Sequence, residues 1–457
     1  MIRRNSAPAT DGEPTVGQEA LWLLQNLAPD CAAYNVTAAL RLHFPVDADL
    51  LEAAVRATAS GHRLLDAVFA CDPDGRLRRR PGNAATAPGL FERHEPGLDD
   101  GPELRAYALE LTRRPFRLDR EPPIRAALLR PRTGPDILLA QAHHIVADNI
   151  SQLLICQEIL SHYAALADGR RHPTRDDGAA FDAFARRARE HLASPRAERS
   201  GTYWRRELAG LTEHTALPAD LPRPPHYRYQ GAELDVELEP ELTADLAEAV
   251  ASRNVTTFAY LLAVFALLLH RHGGQQDFLV GYPVTQRRGE ELREAVGYFV
   301  NTLPLRVRIG PEDSFDTLLD TVAAGLWRAL LHREHPFALL SRQTDLPRDP
   351  ARPGPLPALF VFNEPAEDDP LAAALEPGRR IEYAGLTAEE YYLPQQQGQF
   401  ELTLQVTRRS ATTRATLKYN TSLFSPHAAA RLAEDYRALL RAAVGNTLPP
   451  TCADLRK

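Results

Sequence analysis

Apolar positions recur along this chain with two different periods, and the elements they predict alternate. Ile137-Leu138-Leu139-Ala140-Gln141-Ala142 is a short, mostly apolar run of the length of a buried strand. Beyond it Ile150, Leu153, Leu154, Leu160 and Tyr163 return at helical spacing and predict a helix with one apolar face. Between the two lies His143-His144-Ile145-Val146-Ala147-Asp148-Asn149-Ile150-Ser151. Asp148, Asn149 and Ser151 are residue types that start helices, because their side-chain oxygens accept backbone N–H groups left without partners. A histidine pair therefore stands where a strand ends, and a carboxylate where the next helix begins. Such a turn holds an imidazole rigidly in a cleft.

The same periods place the remaining elements. Ahead of the central run they predict helices over 15–27, 47–60 (with Asp47 as cap) and 103–112, and strands over 36–44 and 124–129. A further strand is reached through 62–69 and closed by the turn Asp72-Pro73-Asp74-Gly75. Residues 168–200 are polar and arginine-rich, with Gly169, Pro173 and Gly178 as breakers, and part of this stretch reads as a crossover. Leu217 to Pro225 cannot be helical, since its prolines remove donors and fix φ. After it, strands are expected over 232–238, 278–284, 299–309 and 358–363, with 400–407 and 413–419 pairing. Helices are expected over 241–253, 257–269, 315–331 and 426–444. Mixed strands and helices in both halves make this an α/β (α+β) chain.

Composition narrows the function classes. A net charge of −7 and a pI near 6.1 leave no basic footprint, so no nucleic-acid partner is expected. Cys31, Cys71, Cys156 and Cys452 lack paired spacing, so neither a metal site nor a disulfide framework is expected. The apolar run from Phe258 to Leu269 is too short to cross a bilayer and reads as a buried core helix. Residues 1–14 are polar, without the apolar core of a secretion signal, and read as a disordered leader. A cytoplasmic protein without a membrane partner is the resulting expectation.

With these elements placed, the chain resembles the condensation domains of nonribosomal peptide synthetases, which have the chloramphenicol-acetyltransferase-like fold. His143 to Asn149 fits the family pattern HHxxxDG, with Asn149 where glycine is usual. Gln18 to Leu24 resembles AQxRLWFL, Arg114-Pro115-Phe116 with Pro122 to Ala126 the segment before the motif strand, and Tyr203-Trp204 the YW segment. Leu217 to Pro224 resembles LPxDxPRP, Gly297 to Thr302 matches GYFVNT, His335-Pro336-Phe337 resembles HxPFE, and Gln399 to Leu404 resembles FDLTL. In the family's RHExLRTxF motif an arginine pairs with the motif aspartate, and here Asp66 occupies its place. Two carboxylates facing each other would recruit another cation, and Arg63 and Arg125 are the candidates by proximity in sequence.

The resemblance implies two acetyltransferase-like lobes arranged as a V with the active-site channel between them, residues 15–178 forming the N-terminal lobe and 179–457 the C-terminal one. It implies an acyltransferase that moves a thioester-bound acyl or aminoacyl group from the phosphopantetheine arm of a carrier protein to an amine or hydroxyl. His144 is the residue expected to face the channel and act, Asp148 to hold the loop, and His143, Asn149 and Ser151 to support the site. Asn301, Tyr298 and Gln397 are candidates to line the channel. No tightly bound cofactor is expected, the arm arriving with its carrier. Because neither end leaves room for an adenylation or carrier domain, a free-standing, monomeric enzyme of antibiotic-type secondary metabolism is expected, meeting carriers in trans and taking a soluble or carrier-tethered acceptor. A catalytically silent module that recruits partners to a synthetase is the competing reading, motivated by Asp66 and Asn149. An epimerisation-type relative is a third. Heterocyclisation is disfavoured, since that branch replaces the histidine pair by DxxxxD.

Overall fold

The computed structural model describes residues 12–173, 178–236, 238–340, 344–364, 378–394, 398–408 and 413–456. These group into two compact units, neither continuous in sequence. The first takes residues up to Arg196 together with Thr285–Val300 and Ala366–Pro394, and the second takes the rest. A single cut at 178/179 was the expectation; the contacts place the main division after Arg196 and return two later segments to the first unit.

In the first unit the motif strand Asp136–His143 lies inside a six-stranded sheet, antiparallel to Asn35–Leu42 on one side and to Ile124–Leu129 on the other. Every residue of it after Asp136 is buried, which explains the continuous apolar run. Phe91–His94 pairs in parallel with Ile124–Leu129 at one edge. At the other edge the hairpin Arg380–Tyr383/Leu386–Glu390 pairs through Ala388–Glu390 with Leu40–Leu42. Helix Ala48–Gly61 starts where expected, with Asp47 accepting from the N–H groups of Asp49 and Leu50. Helix Val16–Leu27 begins with a capping box in which Thr15 and Gln18 satisfy each other's backbone N–H.

Much of 168–200 is helical: Gly178–Leu192 and Pro195–Leu208 are helices, each burying a narrow stripe (Phe181, Phe184 and Ala185 in one; Ala197, Trp204 and Leu208 in the other) under an arginine-rich exposed face. The chain passes from the first unit to the second within this stretch, after Arg196, as its reading in part as a crossover expects. One expectation is corrected here. The supposed leader is anchored at its end, since Gly12 accepts from the Arg79 N–H and Glu13 pairs with Arg78 at 2.6 Å; residues 1–11 lie outside the described ones.

The second unit is built on a six-stranded sheet in the order Gly231–Val236, Thr413–Asn420, Leu402–Arg408, Ala358–Asn363, Asp277–Thr285, Val300–Arg308. Its core centres on helix Thr257–Gly273, buried from Ala259 through His270 and ended by Gly274 in the left-handed conformation. Among the described residues no single helix is long and apolar enough to cross a membrane.

Candidate active site

The motif turn is fixed peptide by peptide. The His143 N–H donates to the Pro123 carbonyl at 2.8 Å, the His144 N–H to Tyr34 at 2.7 Å, and the Asp148 N–H to Gly297 at 3.1 Å. From the first helix, the Gln18 amide donates to the Ile145 carbonyl at 2.8 Å. Backbone held this way leaves each side chain little choice of direction.

His143 points into the first unit and is fully buried. Its Nδ1 accepts from the Ile145 N–H at 3.1 Å, and its Nε2 lies 3.2 Å from the side-chain oxygen of Gln25. One ring nitrogen accepts and the other donates, which defines a neutral tautomer. Burial, with His144 and Arg125 nearby, pushes its pKa down to about 3. His144 is only half-buried. Its Nδ1 donates to the Ala147 carbonyl at 2.6 Å, which leaves the lone pair of the neutral ring on Nε2. Burial holds this imidazole below its ordinary pKa, opposed by the Ala147 bond and the Asp148 charge. The ring of Tyr298 meets it edge to face, with centroids 5.2 Å apart and planes at 81°.

Asp148 does two jobs. As the cap of helix Asn149–Ala167 it accepts from the Ser151 N–H at 2.8 Å. It is also one half of a buried ion pair with Arg287, whose Nη2 and Nε reach its two oxygens at 2.8 and 3.3 Å. The Arg287 guanidinium also donates to the carbonyls of Leu292 and Ala295, at 2.8 and 2.6 Å, and lies 4.3 Å over the ring of Phe299. Ser151 completes the knot: its hydroxyl accepts from Arg287 at 2.7 Å and from the Gly297 N–H at 3.0 Å, with Asp148 and the Gly297 carbonyl both at 2.8 Å for its one proton. A charge pair so fully hydrogen-bonded is tolerable in a buried place, and it locks residues 287–297 onto the motif turn.

Several expected placements change. The partner of Asp148 is Arg287, and neither Arg63 nor Arg125: Arg63 pairs with Asp182, and Arg125 lies over Phe116 and binds Gln141. Asp66 does not confront Asp148; its carboxylate accepts from the Ala84 N–H. Asn149 is exposed in the first helical turn with no described side-chain hydrogen bond, so it does not support the site. It is also absent from the residues with positive φ, so glycine is not required there. Asn301 lies in the second unit and is buried. Its amide donates to the Arg333 and His335 carbonyls at 2.9 and 2.8 Å and accepts from the Phe337 N–H at 3.0 Å, so it is consumed in a turn. Gln397 lies outside the described residues. Trp22 is half-buried, whereas Trp204 and Phe299 are fully buried. Sequence reasoning missed Arg287 and Gln25. The signal for the first was an arginine just beyond an apolar strand, on the approach to Gly297-Tyr298-Phe299.

Comparison with known proteins gives the family and the fold. The condensation-domain family profile matches residues 14–452. The phosphinothricin tripeptide synthetase PhsC of Streptomyces viridochromogenes is 32% identical over 427 residues, covering 93% of this chain and 38% of that protein. A linear gramicidin synthase of Brevibacillus parabrevis is 31% identical over 440 residues, covering 95% of this chain and 6% of the relative. The chain thus spans well under half the length of these relatives. Among solved structures, the X-domain from teicoplanin biosynthesis superposes with a TM-score of 0.82 at 24% identity, covering 97% of each chain. The first condensation domain of the calcium-dependent antibiotic synthetase superposes with a TM-score of 0.76 at 24% identity, covering 98% of this chain and 99% of that one. The fold is the chloramphenicol-acetyltransferase-like one expected. The chain belongs to the condensation-domain family of nonribosomal peptide synthetases.

Proposed function

We propose that this chain transfers an acyl or aminoacyl group from a carrier-tethered phosphopantetheine thioester to an amine or hydroxyl acceptor, with His144 as the proton acceptor. The observation that carries the reading is the state of the His144 ring: Nδ1 is committed to the Ala147 carbonyl, and Nε2 keeps a lone pair on a half-buried imidazole whose pKa is lowered. Neutral near pH 7, Nε2 takes the proton of the nucleophile as the new C–N or C–O bond forms. The carbonyl π electrons move to oxygen, the C–S bond then breaks, and the imidazolium returns its proton to the departing thiolate. Much of the acceleration comes from holding two reactants at one ring nitrogen. Asp148 and Arg287 act at a remove, by fixing the turn that aims that ring.

A recruiting, non-catalytic role is the second reading, since a domain of the same fold has been solved in a complex with OxyB. A fold likeness alone is neutral between the two. The test is intact-protein mass spectrometry of carrier proteins loaded with acyl or aminoacyl arms and offered soluble amines and alcohols, with wild type and His144→Ala compared. Product from wild type, reduced at least 100-fold in the variant, supports catalysis. Carrier binding without turnover in both overturns it in favour of recruitment.

A further inference from the structure

Tyr298 is an aromatic side chain against His144 that the proton transfer above does not use. Its neighbour Phe299 is fully buried against Phe181 and Phe184, whereas Tyr298 is half-buried and turned onto the His144 imidazole. Room for the ring is kept by the first helix. A Cβ added at Gly17 would lie 2.8 Å from a ring carbon of Tyr298. Glycine in a helix costs roughly 0.5–1 kcal/mol relative to alanine, so its presence beside this ring has a purpose in packing.

The phenol itself is unspent. Among the described residues no group hydrogen-bonds the Tyr298 hydroxyl, although nearly every other polar group around the motif turn has at least one partner. Nor is the hydroxyl among the fully buried atoms left unsatisfied, so it is within reach of solvent or of a bound reactant. Burial, helped by the Asp148 charge, pushes its pKa up to about 12. It therefore stays protonated, and so remains a donor, across the working range of a neutral imidazole base.

A thioester carbonyl attacked near Nε2 needs such a donor. Its oxygen gains negative charge as the imidazole gains positive charge, and the imidazole is then occupied with the proton of the nucleophile. Resting on the proposed acyl transfer, we infer that the Tyr298 hydroxyl donates a hydrogen bond to the carbonyl oxygen of the thioester as that oxygen becomes an oxyanion. Tyr298 and His144 then divide the work: one stabilises the oxygen while the other moves the proton, and no further bond is made or broken at the phenol.

Tyr298→Phe keeps the ring against the imidazole and removes only the donor. Its kcat is expected to fall about 100-fold, the lower end of the range for losing one oxyanion donor, with KM within twofold. The melting temperature and the NMR titration of His144 are expected to match wild type. An unchanged kcat overturns the inference. So does a lost kcat accompanied by a shifted His144 titration, because the ring would then be acting only through the imidazole. His144→Ala measured alongside separates the two failures: if that variant keeps wild-type rate, the proposed function itself falls.

Discussion

Each unit of this protein closes an arginine on a buried carboxylate, and of these two pairs the first unit's stands beside the histidine turn. In the first unit Asp148 and Arg287 close on each other with side chains 3% and 6% exposed. In the second, Glu401 is fully buried and accepts from both terminal nitrogens of Arg223, at 2.6 and 2.8 Å, with Arg352 at 3.7 Å. Both carboxylates are buried, although Arg223 is 24% exposed where Arg287 is 6% exposed. They differ in what the backbone around them carries. Asp148 caps the helix that follows a histidine turn, and its partner is bonded to Leu292 and Ala295 just ahead of Tyr298. The described partners of Glu401 are guanidinium groups and the backbone of Pro357 and Asn420. A buried ion pair is thus a fastening, and function follows from the group fastened.

The comparison is tested hardest at Asp148. Asp148→Ala strands the Arg287 charge inside the first unit and frees the Ser151 N–H, so stability is expected to fall by about 3–5 kcal/mol. Transfer activity is expected to fall with it even where the variant is fully folded, because the turn bearing His144 loses its clamp. A double-mutant cycle with Arg287→Ala, read by urea unfolding, is expected to give a coupling above about 1 kcal/mol. Additive losses would mean that the two side chains are not the unit described here.

Glu401→Gln is the matched experiment in the other unit. The amide retains the shape and one acceptor but gives up the bidentate charge-assisted pair, for an expected loss of about 1–3 kcal/mol. Well below the melting temperature its transfer rate is expected to stay within twofold of wild type. A large loss of kcat in a folded Glu401→Gln would break the contrast between fastening and chemistry.

These two pairs also show how far the sequence could be read. Arg223 and Glu401 both stand in segments whose resemblance is plain, Leu217 to Pro224 and Gln399 to Leu404, yet nothing in either segment says that they touch across 178 positions. Asp148 was legible as a helix cap because capping is a local rule. Arg287 was not, since its pairing spans 139 positions and the apolar strand before it has the same period with any terminal residue. Strands Ile124–Leu129 and Ala358–Asn363 and helix Pro426–Val444 appear with the bounds their apolar periods indicate. The hairpin Arg380–Tyr383/Leu386–Glu390 was invisible for two reasons. Its strands are short, polar edge pieces, and its turn uses Ala384-Gly385 with φ of 52° and 75°, where the recognisable signal would be Asn-Gly.

The finest contrast is between neighbours, His143 and His144. His143 is neutral by construction: a proton on its Nδ1 would meet the Ile145 N–H that now donates to it. Its native pKa of about 3 lies below the unfolded value of 6.5, so between those values the unfolded chain binds the extra proton. The contribution of His143 to stability is therefore complete above about pH 6.5 and is lost progressively as pH falls, by about 1.4 kcal/mol per unit for that one proton. Other groups titrate in the same range, so the measurement is a difference. Urea unfolding at pH 6.5 and 5.5 is compared for wild type and His143→Asn, which keeps an acceptor for the Ile145 N–H and cannot titrate. Wild type is expected to lose about 1 kcal/mol more than the variant over that step, somewhat less than the full slope because protonation of the unfolded chain is only half complete at the upper pH. Equal slopes would mean that His143 takes up its proton as readily in the native protein as in the unfolded chain. The division between a silent structural imidazole and the neighbour proposed to accept the proton would then have to be redrawn.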